Sequence, residues 1–222
     1  MQNKNLTKTL VIYFIVFYVA WAISTLWLMP IIDLITNEYI ASIIKVAILK
    51  NLVWTVPAGF LIKKYQDSVE ISLNDMFTNK VSWLKYLPIF LLFTIYILVC
   101  NYKQYGSIII SPDFKYTDLI TVLFVGLTEE LVFRGWLLNS TIKGKKDDDI
   151  YIPIVINALL FLSIHFPRWI ADGILITNFA SLGFIQVMLL SAIFSYIFIK
   201  TKSILVPIAL HMYWDLLVFL LG

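Results

Sequence analysis

Charged residues are scarce in this 222-residue chain: they make up 14% of it, whereas hydrophobic residues make up 60%. Soluble domains carry about one quarter charged residues, because their surfaces must face water. The low charge therefore argues against a water-soluble globule. The small net charge of +3 also excludes a basic nucleic-acid-binding arm, so no nucleic-acid partner is predicted. We expect a lipid bilayer to surround most of the chain.

Cysteine, histidine, glycine and proline are scarce as well. The single cysteine, Cys100, can form neither an internal disulfide nor a cysteine-based metal site. With 8 glycines and 7 prolines, the chain is neither collagen-like nor of a low-complexity, disordered type. The two histidines, His165 and His211, both lie within hydrophobic stretches. An ionisable side chain in such a stretch indicates a functional site.

Apolar segments of the length that a bilayer requires recur along the chain. A membrane-spanning helix needs about 20 apolar residues. Candidate spans lie at approximately 9–32, 40–62, 85–103, 116–138, 150–169, 172–200 and 203–222. The sequence therefore predicts an all-α, polytopic transmembrane bundle of about seven helices that forms a single membrane-embedded domain over residues 1–222.

The distribution of lysine and arginine predicts the orientation, because positively charged loops stay in the cytoplasm. If the N-terminus is cytoplasmic, the opposite side holds Lys103, Lys115 and Arg168. The cytoplasmic side then holds eleven of the 17 basic residues: Lys4, Lys8, Lys63, Lys64, Lys80, Lys85, Lys143, Lys145, Lys146, Lys200 and Lys202. We therefore predict a cytoplasmic N-terminus.

Two spans leave alternatives open. The triplet Ala20-Trp21-Ala22 is similar to a signal-peptide cleavage site, but the apolar run continues far beyond it, which favours an uncleaved anchor. Lys45 and Lys50 lie inside the second span. That segment is either a full span or a partly interfacial helix whose lysines snorkel to the membrane surface.

The fourth span contains a cluster of ionisable residues, in the segment Gly126-Leu127-Thr128-Glu129-Glu130-Leu131-Val132-Phe133-Arg134-Gly135. A carboxylate in hydrocarbon costs several kcal/mol unless it is neutralised or paired. On a helix, Glu130 and Arg134 are i and i+4 and can form an ion pair. Glu129 projects about 100° away from Glu130 and needs another partner. Glu130 is therefore a candidate for a structural role, and Glu129 is a candidate for a role in the chemistry.

The two histidines are candidate partners for these glutamates. His165 lies on the fifth span, and His211 shares a helix face with Asp215 at i+4 on the seventh. Counted from the cytoplasmic ends of the spans at about 1.5 Å per residue, Glu130 and His211 lie roughly 12 Å deep and His165 roughly 18 Å deep. We expect these residues to line one cavity that opens toward the cytoplasm.

The chemistry that these groups suit is hydrolysis. A carboxylate beside an imidazole in a low-dielectric cleft can take a proton from water, and a second histidine or a neighbouring acid can stabilise the oxyanion at a peptide carbonyl. Two histidines and a carboxylate, here His165, His211 and Glu129, also suffice as ligands for a catalytic zinc ion. The residues alone leave both mechanisms open, and the cofactor stays unknown.

Three motifs occur in order: Glu129-Glu130-x-x-x-Arg134, Phe161-x-x-x-His165 and His211-x-x-x-Asp215. Together they resemble the type II CAAX prenyl endopeptidase and bacteriocin-processing (CPBP, or Abi) family of intramembrane proteases. The resemblance implies that Glu129 activates water with His165 as its partner, and that His211 is the second essential histidine. Glu130 and Arg134 match the supporting pair, and Asp215 stands where the family often has Asn.

The resemblance implies an intramembrane endopeptidase that cleaves a membrane-associated protein or peptide. It places a catalytic core at 116–222, after N-terminal helices at 1–115. Compact loops favour a bacterial plasma membrane, where relatives are linked to bacteriocin maturation, self-immunity or regulatory-peptide processing. Two alternatives stay open: a non-catalytic immunity or regulatory scaffold, and a proton-coupled transporter. A transporter is disfavoured because the sequence shows no repeated halves.

Overall fold

The computed structural model describes residues 4–222, and this part of the chain forms helices and loops without a β-strand. Seven long helices follow one another: α1 (Lys4–Ile32), α2 (Glu38–Lys64), α3 (Trp83–Tyr105), α4 (118–141), α5 (Tyr151–Ala171), α6 (Gly183–Thr201) and α7 (Leu205–Leu221). Short helices at Leu73–Thr78 and Leu175–Ala180 lie between them. The predicted all-α bundle of about seven helices is confirmed.

The long helices have the length and composition of a multi-pass membrane protein. Among the described residues, α1, α2, α3, α5 and α6 are long and apolar enough to cross a membrane, and α7 is a shorter apolar helix. The outward faces of α1 and α3 are strongly apolar and include Val11, Ile12, Ile15, Val16, Val19, Leu91, Leu92, Ile95 and Val99. A continuous apolar surface of this kind suits lipid.

Helix α4 is the central element of the bundle. It contacts α2, α5, α6 and α7, and every residue of its segment Leu131–Leu138 is buried. This segment is π-helical and begins directly after Glu130. Helix α5 is interrupted at Ile164–His165, before the turn that contains Pro167. Wider helical turns and helix breaks of this kind recur at functional sites.

The contact between α4 and α7 depends on Gly126. A Cβ atom at this position would lie 2.6 Å from Cγ of Met212 and 2.9 Å from the carbonyl oxygen of Ile208. Because neither distance leaves room for a side chain, glycine lets the two helix backbones approach closely. The close approach lies one turn before Glu129 and Glu130 and beside His211, so it positions the motif residues of both helices.

The two ends of the bundle differ in structure. At one end, which we name the closed end, the segment 65–82 covers the helix termini. The backbone N–H of Glu70 donates to the carbonyl of Asn139, and that of Ile204 donates to the carbonyl of Met76. The start of α1 is at this end, because the Thr9 hydroxyl lies 2.8 Å from that of Tyr65.

At the other end, which we name the open end, the helices are joined by the loops 33–37, 106–117 and 172–182. The backbone N–H of Ser111 donates to the carbonyl of Leu220, and Nδ2 of Asn101 donates to the carbonyl of Leu221, so the end of α7 lies here. The loop before α4 also lies here, because the hydroxyl of Ser42 in α2 donates to the carbonyl of Thr117.

Candidate functional site

A cavity of about 740 Å³ extends from the open end into the bundle between α1, α2, α4, α5 and α7. Its interior is lined by Lys50, Glu129, His165, His211 and Asp215, and its rim by Asp33, Glu38, Lys115, Asp118, Arg168 and Asp172. Glu129 follows Asp118 by eleven residues, which places it about 16 Å along α4 from the rim. The four residues predicted as catalytic therefore share one cavity near mid-depth.

The position of the rim corrects one prediction. A cavity that opens toward the cytoplasm, combined with a cytoplasmic N-terminus, requires a mouth at the end where α1 begins. The mouth lies at the opposite end, because the rim residues end α1, begin α2 and α4, or end α5. The combination of a cytoplasmic N-terminus with a cavity that opens toward the cytoplasm is therefore wrong, because the start of α1 and the cavity mouth lie at opposite ends of the bundle.

Glu130 and Arg134 form the buried ion pair that their spacing predicts. Nη1 of Arg134 lies 2.9 Å from Oε1 of Glu130, and both side chains are fully buried. Nη2 of Arg134 donates to the carbonyl and hydroxyl oxygens of Ser191 on α6, each at 2.9 Å. The guanidinium lies 4.7 Å from the ring centre of Phe161 on α5. The pair connects α4 to two other helices and does not line the cavity.

Glu129 has a different environment, because it lines the cavity and is paired with a lysine from the N-terminal half of the chain. Nζ of Lys50, on α2, lies 2.6 Å from Oε1 of Glu129. The ammonium group lies over the rings of Trp54 and Trp21, at 4.7 and 5.6 Å from their centres. Cation–π contacts and the ion pair together stabilise this lysine inside the bundle.

The contact with Glu129 shows that Lys50 does not snorkel, because its side chain is buried at the centre of the bundle. Lys45 instead forms an ion pair with Asp33 near the rim. The sequence interpretation missed Lys50 as a site residue. The available signal was its place halfway along a long apolar segment, where a lysine needs a nearby acid.

His211 connects the two glutamates. Its Nδ1 lies 2.8 Å from Oε1 of Glu130. Its Nε2 lies 3.8 Å from Oε2 of Glu129 and 3.8 Å from Oδ2 of Asp215. The predicted common face of His211 and Asp215 is therefore present. Since Glu130 fixes one ring nitrogen, the other is directed to the cavity acids.

His165 lies at the break of α5. Its Nδ1 is 3.0 Å from the carbonyl oxygen of Phe161. A carbonyl only accepts hydrogen bonds, so Nδ1 carries the proton and Nε2 of a neutral ring is left as the acceptor. His165 lines the same cavity as Glu129 and interacts with it electrostatically. An unprotonated Nε2 beside a carboxylate can bind and orient a water molecule.

The side chains do not fit a zinc site. Within residues 4–222, no three or more His, Cys, Asp or Glu side chains come together in a geometry that could hold a metal ion. Oε1 of Glu129 is bonded to the ammonium of Lys50, so a cation at this oxygen would meet another positive charge. We therefore derive no step through a metal.

Comparison with known families places the three motifs in one matched segment. Residues 114–217 match the model of a family described as type II CAAX prenyl endopeptidase Rce1-like. The chain has no significant match among curated proteins or among solved structures. The match includes Glu129, His165, His211 and Asp215, and it confirms the resemblance drawn from the motifs. Residues 114–217 of the chain are therefore similar to the Rce1-like type II CAAX prenyl endopeptidase family.

Proposed function

We propose that this protein is an intramembrane endopeptidase that hydrolyses a peptide bond of a membrane-associated protein or peptide. The observation that carries the proposal is the position of Glu129, in a cavity open to solvent and beside His165, His211 and Lys50. Glu130, one residue further along the same helix, is fully enclosed and ion-paired. Adjacent glutamates with such different surroundings suit different roles.

In the proposed reaction, the Glu129 carboxylate takes a proton from a water molecule while the water oxygen bonds to the peptide carbonyl carbon. The carbonyl π electrons move to its oxygen, and the imidazolium form of His211, whose Nδ1–H donates to Glu130, donates a hydrogen bond from Nε2–H to this oxyanion. The tetrahedral intermediate then collapses, the C–N bond breaks, and the proton held by Glu129 passes to the leaving amine. His165 orients the water through its free Nε2. Atoms and charge balance without a further reactant.

We propose supporting roles for the other residues at the site. Asp215 orients the ring of His211, whose Nε2 it faces at 3.8 Å. Glu130 and Arg134 hold α4 in position. Residues 116–222 are the catalytic core, and the helices of 1–115 complete the cavity wall through Lys50. The biological setting that we propose is a bacterial plasma membrane, in bacteriocin maturation, self-immunity or regulatory-peptide processing.

The proposal is tested by comparing peptides in cells with and without the protein. The chain is expressed in a bacterial host, and membrane-associated peptides are identified by mass spectrometry with labelling of new N-termini. We expect a defined set of termini in cells that make the wild-type protein and their absence in cells that make His165→Gln. Identical termini in both strains, at equal protein levels, would contradict proteolysis.

A prediction concerns the unexpected site residue, Lys50. Replacing Lys50 by Met removes the charged partner from the Glu129 carboxylate. A hydrogen bond to a charged group contributes about 1.5–3 kcal/mol, so processing should slow by about 10- to 100-fold. Lys50→Arg should recover part of the rate, because it keeps the charge. The measurement is the rate of appearance of the termini identified above.

The matched control for Lys50 is Lys45→Met, which removes a lysine from the same helix. Lys45 is paired with Asp33 near the rim, and Asp33 is an exposed residue. Exposed ion pairs contribute about 0–1 kcal/mol, so Lys45→Met should process at nearly the wild-type rate. Equal rates in Lys50→Met and Lys45→Met would contradict the role of Lys50.

A further inference from the structure

We infer that the cavity opens on the non-cytoplasmic side of the membrane and receives a peptide segment presented from that side. This inference rests on the proposed function and adds the side from which the substrate enters. It is carried by two independent observations, the position of the cavity mouth and the distribution of basic residues between the two ends of the bundle.

The first observation is the structure of the two ends. At the closed end, Nζ of Lys143 donates to the carbonyls of Asp67 and Val69 at 2.6 and 2.9 Å. Asn139 exchanges two hydrogen bonds with the backbone of Ile71. The segment 65–82 is thereby fastened over the helix termini. None of the cavity-lining residues belongs to this segment or to the loops 142–150 and 202–204, so the route to Glu129 starts at the open end.

The second observation is the charge of the same two ends. The closed end carries eleven lysines, at positions 4, 8, 63, 64, 80, 85, 143, 145, 146, 200 and 202. At the open end, Lys103, Lys115 and Arg168 lie in or beside the loops, and Lys45 lies within α2 near the rim. Excess lysine and arginine in short loops marks the cytoplasmic side. The closed end therefore faces the cytoplasm, and the mouth faces away from it.

The mouth suits a short, extended segment of polypeptide. A volume of about 740 Å³ is within the range of pockets that hold small ligands and is too small for a folded domain. The rim carries charges of both signs, including the Arg168–Asp172 ion pair at 2.7 Å. The partner that fits is a membrane-anchored or exported peptide whose cleavable segment enters the cavity from the non-cytoplasmic side.

The experiment uses cysteine labelling of the full chain in intact bacterial cells. Cys100→Ser provides a background without cysteine, into which Ser107→Cys and Glu38→Cys are placed at the open end and Thr78→Cys at the closed end. These three native residues are exposed. We expect a membrane-impermeant maleimide to label Ser107→Cys and Glu38→Cys in intact cells, and Thr78→Cys after permeabilisation. The reverse pattern, or equal labelling at both ends, would overturn the inference.

Entry through the mouth is tested with the same variants. Glu38 lines the rim, whereas Ser107 lies at the same end outside the cavity lining. A bulky impermeant maleimide on Glu38→Cys should abolish appearance of the processed termini, and the same reagent on Ser107→Cys should leave it unchanged. Unimpaired processing after complete labelling of Glu38→Cys would contradict entry at this rim. Labelling itself needs no proteolysis, so an inactive chain would still report the orientation.

Discussion

Glu129→Gln is expected to abolish proteolysis and to leave the folded protein in the membrane. Glutamine has nearly the shape of glutamate and can accept the hydrogen bond from Lys50, but it cannot take a proton from water. Loss of a general base costs about 10²- to 10⁴-fold in rate. The measurement is the rate of appearance of the processed termini at matched protein levels.

The matched control is Asp118→Asn, which makes the same carboxylate-to-amide change on the same helix. Asp118 lines the rim of the cavity, where its Oδ2 accepts a hydrogen bond from the backbone N–H of Lys115 at 2.8 Å. An asparagine oxygen can keep this bond, so Asp118→Asn should retain nearly full activity. Full activity in Glu129→Gln would end the assignment of Glu129 as the base.

The helices and the local pairs were predictable because both depend on short-range sequence rules. The thickness of the bilayer sets the length of an apolar run that can span it. Each of the seven predicted spans coincides with one long helix of the structure. The Glu130–Arg134 pair and the common face of His211 and Asp215 follow from i, i+4 geometry within one helix. The structure places both pairs as their spacing requires.

The contacts of Glu129 and His211 with other helices were not predictable in the same way. Lys50 and Glu129 are separated by 79 positions, and their contact depends on how α2 packs against α4. No rule of spacing relates two helices that are distant in sequence. The family motifs also lie between Glu129 and Asp215, so the resemblance gave no reason to search the N-terminal half for a partner.

The end of the bundle at which the cavity opens was also not predictable from the sequence. Residue counts along the spans place Glu129, His165 and His211 near the middle of the bilayer, and at that depth such counts do not distinguish one face from the other. What decides the access route is the packing of the loops. The segment 65–82 is bonded to Asn139 and Lys143 and covers one end, whereas the loops of the other end leave the cavity open.

Arg134→Met is expected to destabilise the folded protein strongly. It removes the guanidinium from the fully buried Glu130 carboxylate, which keeps only His211 as a partner, and it removes both hydrogen bonds to Ser191. Breaking a buried ion pair by removing one partner costs about 3–5 kcal/mol, because the remaining buried charge loses its counter-ion. The expected result is a lower midpoint of thermal unfolding in detergent and a lower yield of folded protein, with loss of activity as a consequence.

The double variant Glu130→Gln/Arg134→Met separates structure from chemistry. It removes both charges, so much of the lost stability should return, since a neutral pair of similar volume avoids the uncompensated charge. Activity should return only in part, because the introduced amide would contact Nδ1 of His211 without the carboxylate that now holds it at 2.8 Å. If Arg134→Met instead unfolds at the wild-type temperature and is inactive, Arg134 acts in the chemistry, and its structural role is refuted.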